Sequence, residues 1–273
     1  MSILLADASA GFDWSAISPT IFGAVFESTL NPATRRAGGM HYTSIENIHR
    51  VIDPLFLDAL RDELDACKAQ KTEKARRKAL LDFQEKLAAG RYFDPAAGSG
   101  NFLTEPYLSL RRLENEVLRE LSGVEVFLGG IDNPVKVSIA QFYGIEINDF
   151  AVTVARTALW IAESQMMKET ESIVHMTLDF LPLRTYDNIH EGNALRMDWR
   201  EVLPPTDNVR VMGNPPFVGK KEQSKEQKRD LLAVFNHQKG LGNLDYRAAA
   251  VYSDWIRPSA YDCQWKCTHY PER

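Results

Sequence analysis

The sequence predicts an α/β fold, a doubly wound parallel sheet flanked by helices, and three observations carry that prediction. Arg91-Tyr92-Phe93 is apolar and extended, runs through Asp94-Pro95-Ala96-Ala97 into the turn Gly98-Ser99-Gly100-Asn101, and is followed from Phe102 by apolar residues at helical spacing. Three further strand-like runs, 141–148, 188–195 and 209–212, alternate with helical stretches, as parallel strands joined by crossovers do. The run 141–148 places an acid, Glu146, near its end, at the carboxyl edge where such sheets bind ligands.

The elements follow in order. Residues 21–26 form a helical or buried segment, and the loop 31–39 leads to His41-Tyr42-Thr43-Ser44-Ile45-Glu46. Thr43 with Glu46 three residues later has the form of a capping box, which predicts a helix running towards Ile52; a cap alone would also explain Thr43. Leu57, Leu60, Leu64 and Cys67 recur at helical spacing, and a further helix spans 72–88 with Gly90 past its end. After the first strand and its glycine turn, Leu108, Leu113, Val117 and Leu121 mark a long helix, and the stretch up to Val135 reads as a surface insertion. An alanine-rich helix follows over 151–167. Asp198 reads equally as a helix cap or as a ligand contact.

At 273 residues with 44% hydrophobic content the chain buries a substantial core, as one large or two small domains. No apolar run approaches the roughly 18 residues of a membrane span, and the N-terminus lacks a basic region followed by a hydrophobic core, so a soluble, cytoplasmic protein is expected. Cys67, Cys263 and Cys267 are too few, and odd in number, for a disulfide framework. Cys263 and Cys267 with His269 make half of a zinc-like spacing without a partner pair upstream, so no metal is expected. The formal net charge of −5 is unusual for a chain that holds DNA, where phosphate neutralisation supplies most non-specific affinity. Two basic clusters oppose it: Lys68, Lys71, Lys74, Arg76, Arg77 and Lys78 read as a solvated helix face, whereas Lys220, Lys221, Lys225, Lys228 and Arg229 are placed for phosphate contact.

The glycine turn indicates the ligand. A tight turn after a strand offers backbone N–H groups, since Gly98 and Gly100 carry no Cβ to block an approach. The dinucleotide fingerprint needs a third glycine three residues after the second; that position is Leu103, so NAD is disfavoured. Asp94 would repel a pyrophosphate and attract a cationic amino group, which S-adenosylmethionine carries without any phosphate.

The second signal is Val211-Met212-Gly213-Asn214-Pro215-Pro216-Phe217. Paired in this order with Asp94-Pro95-Ala96-Ala97-Gly98-Ser99-Gly100-Asn101-Phe102, it resembles the N6-adenine DNA methyltransferases, most of all the methylase part of the Mme-type single-chain restriction–modification enzymes. The likeness runs from about Asp13 to Tyr246 and includes Asp13-Trp14, Phe22-Gly23 and Leu244-Asp245-Tyr246. It implies a Rossmann-like, S-adenosylmethionine-dependent methyltransferase core over 91–255 with an incomplete sheet, after an N-terminal helical region over 1–90. Residues 256–273 have no counterpart and read as an atypical tail on a C-terminally truncated protein.

What the resemblance implies for the site is specific. S-adenosyl-L-methionine would be held by Thr43, Asp94, Ala96, Gly98, Gly100, Glu146 and Asn193, with Glu146 on the ribose hydroxyls and Asn193, where related enzymes often have Asp, facing the adenine. Asn214, Pro215, Pro216 and Phe217 would form the catalytic loop. The Asn214 side-chain oxygen and the Pro215 carbonyl each accept one hydrogen of the adenine amine, and Phe217 stacks on a base rotated out of double-stranded DNA. A specificity domain or subunit missing from this chain would read the sequence. Two other readings stay open: a non-catalytic remnant that at most binds cofactor or a partner, and a glutamine-amide methylase, which uses a related loop.

Overall fold

A computed structural model describes residues 18–21, 23, 43–122, 134–178, 186–204, 206, 208–216, 218 and 221–234. Phe217, the pair Asp13-Trp14, Phe22, the motif Leu244-Asp245-Tyr246, the tail 256–273 and most of the insertion lie outside them. The described elements are α1 (Ile45–Ile52), a wide π turn (Asp53–Leu57), α2 (Asp58–Lys68), α3 (Glu73–Ala89), β1 (Arg91–Asp94), α4 (Asn101–Ser122), a 3-10 turn (Ile139–Gln141), β2 (Phe142–Glu146), α5 (Asp149–Val174), β3 (Ile189–Glu191), α6 (Trp199–Val202), β4 (Val209–Val211) and α7 (Lys225–Val234).

The four described strands form one parallel sheet in the order β3-β2-β1-β4. The chain lays β2 and then β3 on one side of β1, and crosses back to add β4 on the other. The connections therefore diverge between β1 and β4, and a parallel sheet opens a crevice at such a point, outside the strands' carboxyl ends. Register places Phe93 beside Val211 and beside Tyr143, so Asp94, Glu146 and Met212 all emerge at one edge.

Alternation along the strands divides the core. Tyr92 and Phe142 stack at 5.0 Å on one face, in a large cluster with residues of α1 to α5 such as Ile48, Leu64, Phe83, Leu103 and Leu159. Phe93, Ile145, Val209 and Val211 point to the other face and pack on Trp199, Val202 and Leu203 of and beside α6. Helices α1 to α3 therefore share a core with the sheet. Among the described residues no helix is long and apolar enough to cross a membrane.

Three local details differ from the sequence expectations. Ser44 caps α1, its hydroxyl accepting from the Asn47 N–H at 3.4 Å, so Thr43 is not the cap residue. Pro54 lacks an N–H and crowds the carbonyl four residues back, and α1 joins α2 through a π turn there. Helix α5 runs to Val174, beyond the expected 167, and ends at His175, whose φ of 53° lies in the left-handed region.

The return of the insertion to the fold is fixed by charge. Glu114, fully buried on α4, pairs with the equally buried Arg111 and accepts from Gln84 Nε2 at 2.8 Å and from the Lys136 N–H at 2.7 Å. Arg111 also donates to Thr170 on α5 at 2.6 Å. An ion pair this deep needs further hydrogen bonds, and Glu114 and the Arg111 Nη atoms have them, whereas the buried Arg111 Nε has no partner among the described residues.

Candidate functional site

The carboxyl edge of the sheet brings together most residues the sequence singled out. Asp94 ends β1 and is 1% exposed, and Glu146 ends β2 at 8%. Asp94 Oδ1 accepts from the Ala96 N–H at 2.9 Å, folding the chain back into the turn. Glu146 Oε2 accepts from the Gly98 N–H at 2.8 Å, and its Oε1 from the Asn148 N–H at 2.9 Å. The Ala97 N–H goes to the Ile145 carbonyl and the Gly100 N–H to the Ala97 carbonyl. The amides of 96, 97, 98 and 100 are thus paired inside the protein, which corrects the expectation that they stand bare for a ligand. What the turn presents instead is two buried carboxylates.

The two glycines do different work. Gly98 has φ of 55°, and a Cβ there would meet nothing within 4 Å, so it faces open space and is required by its backbone angle. Gly100, with φ of 83°, would push a Cβ to 2.7 Å from the Ala155 Cβ. Its bareness lets α5 close on the turn.

Burial sets the electrostatics. Desolvation pushes the Asp94 carboxyl up from 3.8 to about 7; the Ala96 N–H acts against this and the nearby Glu146 adds to it. Glu146 is also raised, chiefly by desolvation, with three backbone N–H groups holding it down. A pair of strained acids at a turn welcomes a cation and rejects a phosphate.

Across the switch point the second loop meets the first. The Met212 N–H donates to the Phe93 carbonyl at 2.9 Å, and a Cβ on Gly213 would fall 2.3 Å from Asp94 Oδ1. Asn214 follows with an exposed side chain, beside buried Pro215 and half-buried Pro216. Asn214 Nδ2 donates to Thr43 Oγ1 at 3.3 Å, so Thr43, freed from capping, reaches the edge from outside the sheet. Asn193, in the turn after β3, uses its amide within the protein, donating to Asp230 Oδ2 and accepting from the Leu195 N–H, both at 2.9 Å. Asp198 caps α6 through the Arg200 N–H.

Three participants, Gly213, Gly23 and Asp230, were not among the candidate site residues. Gly213 stands inside the quoted motif, yet only contact shows that any side chain there would strike Asp94. Gly23 is similar: a Cβ on it would lie 2.4 Å from Ser99 Oγ and 2.9 Å from Asn101 Oδ1, so Gly23 sits directly against the glycine turn. Asp230 looks like any acid on a charged helix until its partners are seen.

With the acid-lined turn of β1 facing an Asn-Pro-Pro segment across the crevice, the fold is that of a Rossmann-like methyltransferase core. Solved structures agree: the Type IIL restriction-modification enzyme MmeI, in complex with DNA, matches at a TM-score of 0.80 and 40% identity, over 89% of this chain and 32% of that one. Residues 68–263 match the MmeI DNA-methyltransferase domain, and the chain belongs to that family. It is 41% identical to DNA methyltransferase A of Bacillus subtilis (strain 168) over 88% of this chain and 27% of that protein. A putative type II restriction enzyme and methyltransferase of Methanocaldococcus jannaschii is 25% identical over 75% of this chain and 19% of its own length. The chain thus spans about a third or less of the relatives it matches.

Proposed function

We propose that this chain carries the methyl-transfer core of a DNA adenine-N6 methyltransferase of a restriction–modification system, with S-adenosyl-L-methionine as donor. The observation that carries the proposal is the approach of Gly213 to Asp94, which puts the Asn214 segment beside the acid-lined turn. The donor set fits this cofactor. Asp94 and Glu146 suit an ammonium group and a ribose diol, and would repel the pyrophosphate of a dinucleotide.

When bound, S-adenosylmethionine supplies an electrophilic methyl group on sulfonium sulfur. Asp94, Ala96, Gly98 and Gly100 shape the methionine side of the pocket, and Glu146 addresses the ribose. Asn214 Oδ1 and the Pro215 carbonyl accept the two hydrogens of the adenine amine, which localises the nitrogen lone pair and takes up positive charge as it develops. Proline at 215 holds its carbonyl with a fixed φ and adds no competing donor. Thr43, accepting from Asn214 Nδ2, keeps the amide's donor side away from the amine. Phe217 gives a face for the flipped base, at a cost of a few kcal/mol for extrusion. Holding both reactants in line supplies on the order of 7–11 kcal/mol. The division into a helical region over 1–90, the core over 91–255 and a tail over 256–273 belongs to the same proposal, as does a specificity element, domain or subunit, that reads the DNA sequence.

Incubation of the full chain with methyl-tritiated S-adenosylmethionine and mixed genomic DNA tests this, beside calorimetric titration of the cofactor. Label in DNA supports the proposal. Label in protein, or cofactor binding with no transfer to DNA, refutes it.

A further inference from the structure

Helix α7 follows the Asn-Pro-Pro segment and turns Gln227, Asp230, Leu231 and Val234 inward, while Lys225, Lys228 and Arg229 are exposed. Asp230 is 7% exposed, and a carboxylate withdrawn from water on a ten-residue helix needs donors. Two of them come from the turn after β3. Asn193 Nδ2 donates to Asp230 Oδ2 at 2.9 Å, and Arg196 Nε to Asp230 Oδ1 at 2.8 Å. The remaining Asn193 atom, Oδ1, accepts from the Leu195 N–H at 2.9 Å. An ionised Asp230 only accepts and the Leu195 N–H only donates, so the Asn193 amide sits one way round.

We propose that Asp230 is a positioning residue, and that Asn193, Asp230 and Arg196 form a clasp holding the far end of the catalytic segment against the sheet. The near end is held by β4, through its pairing with β1 and the bond from the Met212 N–H to the Phe93 carbonyl. Beyond the segment, Gln223 Nε2 donates to the Val218 carbonyl at 3.0 Å. Asn214 therefore lies between the backbone pairing of β4 and the side-chain clasp, with Thr43 Oγ1 accepting from its own amide at 3.3 Å. The clasp also reassigns Asn193: its amide serves α7, where a carboxylate in its place would face that of Asp230 at hydrogen-bond distance and repel it. The catalytic meaning rests on the function proposed above; the geometry of the clasp does not.

Hydrogen exchange of the full chain, read by mass spectrometry, tests the clasp. Asp230→Asn sets an amide NH2 against either Asn193 Nδ2 or Arg196 Nε and loses at least one charged hydrogen bond. Exchange in peptides spanning 212–218 should rise about 10- to 100-fold, with 142–146 unchanged. The double variant Asn193→Asp/Asp230→Asn keeps these three bonds, with donor and acceptor exchanged only between positions 193 and 230. The carboxylate introduced at position 193 would accept from the Leu195 N–H and from the new amide at position 230, whose oxygen accepts from Arg196, so exchange should return to the original rate. Unchanged exchange over 212–218 in Asp230→Asn, or failure of the swap to restore it, overturns the proposal. Methyl transfer separates the two readings: an inactive parent chain with the expected exchange pattern counts against the function alone, and in an active one Asp230→Asn should lower kcat with cofactor affinity kept.

Discussion

Replacing Asp94 by Asn should make the protein's stability less sensitive to pH, because this carboxylate is charged against the preference of its surroundings. Asp94 is 1% exposed, and its carboxyl is pushed up from 3.8 to about 7. The folded value lies above the unfolded one, so the native state holds the extra proton between them, and stability falls as pH rises through that window. The loss between pH 5 and pH 8 is on the order of 2–3 kcal/mol. Asn keeps the acceptor for the Ala96 N–H and removes the titration. Its second amide hydrogen costs about 1–3 kcal/mol if left unpaired, equally at both pH values. The difference between pH 5 and pH 8 therefore isolates the charge. Urea unfolding of the parent and Asp94→Asn at the two pH values, at fixed ionic strength, measures this. A loss from pH 5 to pH 8 larger in the parent by about 2–3 kcal/mol is expected; equal losses would refute the assignment of a buried, strained carboxylate at 94.

With S-adenosylmethionine as the proposed donor, the same acid would govern its binding. A cationic amine binds ionised Asp94, so S-adenosylmethionine affinity should fall towards tenfold per unit as pH drops below about 7, and lose that dependence in Asp94→Asn, by calorimetry. Gly213→Ala drives a Cβ to 2.3 Å from Asp94 Oδ1, and overpacking of this kind costs about 1–3 kcal/mol; thermal unfolding should register it, and methyl transfer should fall more than stability does. Glu114→Ala strands the buried Arg111 and frees Gln84 and the Lys136 N–H, so a loss of about 3–5 kcal/mol is expected from denaturant titration, whereas a loss below about 1 kcal/mol would contradict the network.

Much of the site was legible because spacing along a strand is rigid. Asp94 and Glu146 end adjacent parallel strands, so reading the strands placed both acids at one edge. Asn214 emerged beside them for the same reason once β4 was read. What failed to show in sequence depended on contact. The pattern at Thr43 and Glu46 suggested a cap one residue early, because Ser44 caps equally well and only the fold assigns Thr43 to Asn214. The turn amides looked bare because nothing in the sequence says that Glu146 bends back to the Gly98 N–H. Asn193 looked like a ligand residue, since its partner Asp230 lies 37 positions away on another element. Gly100 proved to serve the packing of α5, which its place in a ligand motif had hidden.

The central claim is that the Asn214 segment and the Asp94 turn together present a methyl group to an adenine amine. Nucleoside mass spectrometry of DNA treated with the full chain and with Asn214→Ala tests it most directly. N6-methyladenine is expected from the parent chain, with its loss by at least about a hundredfold in a variant that still binds S-adenosylmethionine. Equal N6-methyladenine from both proteins, or a methyl group on a different base, would contradict it.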